Sequence, residues 1–116
     1  MPYGRQQRRR PALGFDALTT KRKRPGYVYL ITNPAWPGYC KLGAAKSLSG
    51  RLADYLTASP HRDYKLRFAL PFTDRFEAEG RVKRRMRGFR VKGTEWFHVH
   101  HDDARAIILN VQEKNP

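Results

Sequence analysis

Tyr27 and Tyr29 stand two apart in the segment GYVYLIT, so in an extended chain they share a face with Ile31 and leave Val28 and Leu30 on the other. Lys41 and Gly43 share a face of the next apolar segment, where a residue without a side chain lets a ligand or another backbone come close. Arg51 and Tyr55 are four apart, as are Glu79 and Lys83, the spacing of neighbours on a helix surface. A phenol, cations and a carboxylate are the parts that phosphodiester cleavage needs. The carboxylate holds a divalent metal, the cations neutralise developing charge on the phosphate, and a phenol or phenolate handles the proton of the attacking water. Each residue also has an ordinary reading. Tyrosines in strands commonly serve packing, and Arg51 is by default a solvated helix charge. Glu79 pairs by default with Arg75 or Lys83, a contact of about 0.3–0.5 kcal/mol. Arg51, however, lies next to the apolar stripe Leu48–Leu52–Tyr55 and not opposite it, which favours the edge of a pocket. Glu77 is the competing metal carboxylate, and Glu79 lies closer to the apolar stripe of its helix.

These residues need elements to hold them. Residues 26–32 are β-branched and aromatic, bounded by Pro25-Gly26 and Asn33-Pro34, and read as a strand. Residues 39–43 return as a second strand after the tight connection Pro34-Ala35-Trp36-Pro37-Gly38, making a hairpin. Ser47 or Ser49 caps a helix in which Leu48, Leu52, Tyr55 and Leu56 form one face, and Ser59-Pro60 stops it. Residues 64–72 alternate Leu66, Phe68 and Leu70 with Lys65, Arg67 and Ala69, a third strand with one apolar face. Thr73 or Asp74 caps a second helix over about 75–87, with Ala78, Val82, Met86 and Phe89 as its stripe. Residues 94–98 read as extended, and Asp102 and Asp103 open a last helix carrying Ala104, Ile107, Ile108 and Val111. The order is β-β-α-β-α-(β)-α, with no internal repeat.

Charge and composition bound the function. A chain of 116 residues suits one domain, so binding and chemistry must share a surface. Lys and Arg number 24 against 10 acids, a formal +14, which calls for a polyanionic partner, most commonly a nucleic acid. Half of that charge sits in residues 1–25. Arg5, Arg8, Arg9, Arg10, Lys21, Arg22, Lys23 and Arg24 face Asp16 alone, eight cations less one acid, or +7. Apolar residues are too sparse there to offset the entropy of ordering, so this segment reads as a disordered basic arm ahead of a folded domain at 26–116. Such an arm suits phosphate binding, or a nuclear-import address in a eukaryotic setting. Cys40 is the only cysteine, which excludes a disulfide framework and a cysteine-built zinc site and suits a reducing compartment. With no long apolar run and no apolar leader behind the basic N-terminus, the expectation is a cytoplasmic protein with no membrane partner.

The hairpin, the helix arginine and the later glutamate together resemble the GIY-YIG endonucleases. Tyr27-Val28-Tyr29 matches the first motif and Lys41-Leu42-Gly43 the second; the family's arginine falls on Arg51, a later aromatic or histidine position on Tyr55, and its metal-binding glutamate on Glu79. The resemblance is nearest to a phage-associated branch with GYVY, then NPA-x-PG, then K-[IL]-G and a late EWF, here Glu95-Trp96-Phe97, and spans about residues 26–109. Two positions depart from the commoner pattern: Lys41 stands where many members carry a second tyrosine, and no histidine stands at 55. Both place more weight on Tyr29. The resemblance implies a small α/β (α+β) fold, a central antiparallel sheet of about three strands flanked by helices. It also implies a Mg²⁺- or Mn²⁺-dependent DNA endonuclease in which Glu79 holds the metal, Arg51 supports the phosphate and Tyr29 handles water, with Tyr55 in its hydrogen-bond chain and Lys41 or Lys46 open as phosphate contacts. A module on the same fold that binds nucleic acid without cutting is the alternative from another class, and a ribosome-associated RNA binder is a third.

Two further clusters stand out. Arg81, Lys83, Arg84, Arg85, Arg87, Arg90 and Lys92 crowd the second helix and its exit, and are expected to track a DNA backbone whatever its sequence. His98, His100 and His101 with Asp102 and Asp103 have metal-ligand types, although histidines at strand ends are more often unliganded and the acids look like helix caps. Glu95 in the EWF motif has two readings, a place near the site and the more ordinary structural task, with Trp96 and Phe97 packing on the sheet. A monomer and a dimer formed on DNA are both compatible with the sequence.

Overall fold

The computed structural model describes residues 22–116. Strand β1 (Gly26–Thr32) is apolar on both faces, and Val28, Tyr29, Leu30 and Ile31 are all buried, which marks it as a central strand. β2 (Cys40–Ala45) and β3 (Lys65–Phe72) flank it, and β4 (Trp96–Phe97) completes a four-stranded antiparallel sheet in the order β3-β1-β2-β4. The extended segment expected after the second helix is therefore a fourth, two-residue strand. It pairs with Cys40 and Lys41 of β2 and, through Phe97, with Arg90 in an isolated bridge, and among the described residues no strand covers the outer edge of β2 from Gly43 to Ala45.

The β1–β2 connection is braced. The Asn33 carbonyl accepts from the Trp36 amide at 3.0 Å, the Asn33 side chain accepts from the Ala35 amide at 2.9 Å, and the Trp36 carbonyl accepts from the Tyr39 amide at 3.3 Å. Gly38 closes the loop at φ 86°, a left-handed conformation that favours glycine. The Asn33 amide also donates to Asp63 at 3.0 Å, tying the loop to the segment before β3.

The two faces of the sheet have different covers. Val28, Leu30, Cys40, Leu42, Phe72 and Phe97 form the main core with Ala78, Val82 and Met86 of α2 (Arg75–Met86) and Ala104, Ile108 and Val111 of α3 (His101–Lys114). On the other face Tyr29, Ile31 and Ala45 pack against Leu48, Leu52 and Tyr55 of α1 (Leu48–Ala58). Burial in the main core pushes the Cys40 thiol up to about 11, so it stays protonated and acts as a small apolar group. Ser47 caps α1 by accepting from the Gly50 amide, and Asp74 caps α2 by accepting from the Glu77 amide.

Three local expectations are corrected. Leu66 does not share a face with Phe68 and Leu70: a register shift between Leu30 and Ile31 puts Phe68 opposite Leu30 but Leu66 opposite Ile31, on the α1 side. Arg67 is the extra residue, and its Nε donates to the Thr32 hydroxyl at 2.8 Å. Phe89 leaves the α2 stripe because the helix tightens into a 3₁₀ turn over Arg87–Phe89, which leaves the ring 44% exposed. The cap of α3 is His100, whose Nδ1 accepts from the Asp102 amide at 3.1 Å, while Asp102 and Asp103 fill the first turn.

Candidate functional site

Tyr29 is paired across the sheet with Gly43, and a Cβ added at Gly43 would run into the Tyr29 ring and hydroxyl. Glycine is what lets the phenol lie flat across β2. Its oxygen is 3.1 Å from the Tyr55 hydroxyl, and Arg51 Nη1 donates to it at 3.4 Å. The same Arg51 nitrogen donates to the Ala44 carbonyl at 3.4 Å, which holds the guanidinium over β2. The hydrogen bond to Tyr29 raises Arg51 above its ordinary value, so it stays cationic. Burial pushes the Tyr55 phenol up, and the hydrogen bond with Tyr29 reinforces the rise. Either hydroxyl can donate in the Tyr29–Tyr55 pair, and Arg51 donates to the Tyr29 oxygen as well, so that oxygen is where a cation and a second hydroxyl meet. Lys41 Nζ lies 5.3 Å over the Tyr55 ring, on the same sheet face. Only about 10 Å³ of space is left among Tyr29, Arg51, Tyr55 and the apolar side chains around them, so the buried Tyr29 phenol is tightly packed and Arg51 is the exposed member of the group.

Glu79 comes from α2, with its side chain 16% exposed. Lys83 Nζ is 3.8 Å from one Glu79 oxygen and 3.3 Å from a Glu95 oxygen, so two carboxylates share one ammonium. Burial raises the Glu79 carboxyl above its ordinary value; Lys83 and Arg51 oppose the rise and Glu95 adds to it. Hard oxygen donors with less positive charge than negative suit a divalent cation such as Mg²⁺ or Mn²⁺. Glu77 instead pairs with Arg81 at 3.4 Å on the exposed side of the helix. Glu95 is more than the structural residue that its place before Trp96 suggests. No helix or strand periodicity links it to Glu79; only the pairing of β4 with β2 brings the two together, with the Glu95 carbonyl accepting from the Leu42 amide at 3.4 Å.

A family model, the T5orf172 domain, matches residues 26–112, from the start of β1 into α3. The chain belongs to the T5orf172 domain family. This is a nuclease-type domain, and nucleic acid is the partner that it implies. No curated protein and no solved structure matches the chain. Tyr29, Lys41, Gly43, Arg51, Tyr55, Glu79 and Glu95 all fall inside the matched span of this T5orf172 domain.

The basic residues divide. Arg84 and Arg87 line a groove of about 430 Å³ with Lys83, Arg90, Lys92 and Glu95, contiguous with the carboxylates. Arg81 is engaged by Glu77, and Arg85 donates to Asn110 of α3 at 2.7 Å, so these two are held on the α3 side of the helix. Lys46 is exposed just beyond the open end of β2. Arg22, Lys23 and Arg24 are exposed, and the Arg24 carbonyl accepts from the Arg75 amide at 2.9 Å at the start of α2. Arg8, Arg9, Arg10 and Lys21, with the rest of residues 1–21 of the expected arm, lie outside the described residues. Among the histidines, His98 stacks on Tyr39 at 4.5 Å, while His100, His101 and Asp102 bring ligand atoms within 4.8 Å of one another. His100 spends Nδ1 on the α3 cap, which leaves that trio poorly suited to a metal. No helix among the described residues is long and apolar enough to cross a membrane.

Proposed function

We propose that this T5orf172 domain is a GIY-YIG-type endonuclease that hydrolyses DNA phosphodiesters with a divalent metal, one strand per active site. The observation that carries the reading is the Tyr29 oxygen, set over Gly43 and within reach of both Arg51 and Tyr55. Tyr29 first releases its own proton to solvent, and Arg51 and the Tyr55 hydroxyl hold the resulting phenolate. Tyr29 then takes the proton of the attacking water and returns to the phenol as the water oxygen bonds to phosphorus. Arg51 also faces the open edge of β2, where a phosphate can approach, and its fixed positive charge counters the charge that builds on the phosphorane. Lys41 adds a second cation on the same face. Glu79, with Glu95 beside it, holds Mg²⁺ or Mn²⁺, which would polarise the scissile phosphate and stabilise the leaving oxygen. Lys83, shared by both carboxylates, keeps that site neutral enough to fold without the ion. Arg84, Arg87, Arg90 and Lys92 run the DNA backbone past the carboxylates, independently of sequence.

Supercoiled plasmid incubated with the full chain in Mg²⁺ or Mn²⁺ tests this reading. Nicking is expected with either metal, none in EDTA, and none above background for Glu79→Ala. A wild type that binds plasmid and never nicks it in either metal supports the other class, a nucleic-acid-binding module on the same fold, for which Lys41 in the second-tyrosine position is the structural argument.

A further inference from the structure

The face of the sheet that carries Tyr29 is covered by α1 only over β1 and the end of β2. At the β4 end it carries rings. Trp96 is the register partner of Lys41 and so lies on the Tyr29 face, one strand beyond the lysine that rests on Tyr55. Trp36 meets Trp96 with ring centroids 5.2 Å apart, and Tyr39 stacks on His98 beside them. Trp36, Trp96 and Tyr39, together with Val91 and Thr94, frame an apolar cavity of about 400 Å³. Trp36 is 49% exposed, an unusual state for the largest apolar side chain. It does not hang on a loose loop: the Asn33 turn, the Trp36–Tyr39 hydrogen bond, two prolines and the link to Asp63 all fix its backbone. A rigidly presented, half-exposed tryptophan is a binding group whose ordering entropy is already met by the fold.

We propose that Trp36 and Trp96 form a stacking shelf for an unpaired nucleobase next to the scissile phosphate, so that the substrate is DNA with a single-stranded segment at the cut. The charge around the shelf argues for a nucleotide over an apolar peptide. Lys41 stands beside Trp96 on the same face of the sheet, in a chain of formal charge +14. Geometry argues for an unpaired base. In a duplex the flat faces of the bases are stacked on one another and only their edges are open in the grooves, so an exposed indole has nothing to stack on. Lys41 takes a flanking phosphate, and the strand then continues toward Arg51 and Tyr29. This rests on the nuclease reading for its purpose, but it can be tested without any cutting.

The test is binding in EDTA, where cleavage is absent. Fluorescence anisotropy of the full chain would compare a labelled duplex with the same duplex carrying a short single-stranded gap. The wild type is expected to bind the gapped DNA about 10-fold more tightly, the effect of roughly one stacked base, with quenching of tryptophan fluorescence. Trp36→Ala is expected to abolish that preference and leave duplex affinity unchanged, and Trp36→Phe to keep part of it. Equal affinity of the wild type for both DNAs, or an undiminished preference in Trp36→Ala, overturns the proposal. So does a dimer that Trp36→Ala dissociates with no change in DNA preference, which would assign the shelf to a second copy of the chain. Loss of nicking in plasmid assays with the binding preference intact would count against the nuclease reading alone.

Discussion

Tyr29 and Gly43 make sense only together. The phenol occupies the space that any side chain at position 43 would need, and from there it meets Arg51 and Tyr55. Gly43→Ala is therefore expected to push the ring off β2 and lower the single-turnover cleavage rate at least about 10-fold while circular dichroism stays native, since a displacement of order 1 Å in a catalytic group can cost more than that. Glu79 gives a second test, through stability. Its carboxyl is raised by burial, so the folded state prefers the neutral form. For a group shifted upward, the favourable contribution is complete below the ordinary value near 4.5 and is lost as pH climbs through the higher folded value. Glu79→Gln, always neutral, is accordingly expected to melt above the wild type at pH 7, with the gap closing at pH 4, although it no longer cuts. A variant that melts below the wild type at pH 7 would show that Lys83 already compensates the charge. At this scale it was the resemblance to the GIY-YIG pattern, not spacing alone, that singled out Tyr29, Arg51, Tyr55 and Glu79, and the first three meet in the structure. For Glu95 a place near the site ranked behind a structural task, because its partner Lys83 lies 12 residues away on another element.

Elements whose periodicity is local were legible in advance: β1, the hairpin, the Ala78–Val82–Met86 part of the α2 stripe and the apolar face of α3 all stand where their patterns put them. What escaped was set by long-range fit. The shift opposite Leu30 and Ile31 turns Leu66 to the α1 side, and no alternation within 64–72 marks it, because Arg67 fits a regular strand equally well until its guanidinium finds Thr32. The cap on α3 was misplaced because a histidine nitrogen took the task that aspartates commonly perform. Two stability measurements belong here. Asp74→Ala removes the side-chain acceptor for the Glu77 amide and is expected to cost about 1 kcal/mol in urea denaturation. Ile108→Ala opens a hole in the core between α3 and the sheet, and a loss of about 2–5 kcal/mol is expected by the same method. A loss under about 0.5 kcal/mol, the range of ordinary surface changes, would contradict the placement of Ile108.

The whole molecule is a polycation whose candidate working residues come from both faces of a small sheet, Tyr29, Arg51 and Tyr55 from the α1 face and Glu79 from α2 on the other. The basic groove of Lys83, Arg84, Arg87, Arg90 and Lys92 leads to the carboxylates, and the shelf of Trp36 and Trp96 adjoins Lys41. Charge alone argued only for a polyanion; the placement of Tyr29, Arg51 and Glu79 is what turns that into a case for cutting. Removal of residues 1–21 takes away Arg5, Arg8, Arg9, Arg10 and Lys21. It is expected to flatten the dependence of log binding constant on log salt by about 0.9 for each phosphate that is no longer neutralised, with the single-turnover cleavage rate at saturating protein unchanged. A changed rate would mean that the basic segment takes part in the chemistry. The most direct test of the central claim is single-turnover nicking of supercoiled plasmid by Tyr29→Phe in Mg²⁺, with DNA binding measured in parallel. Loss of one hydroxyl is expected to lower the rate by about 10²–10⁴-fold and leave the affinity as it was. Nicking at the wild-type rate would contradict the account, because the oxygen that Arg51 and Tyr55 converge on would then have no part in the reaction.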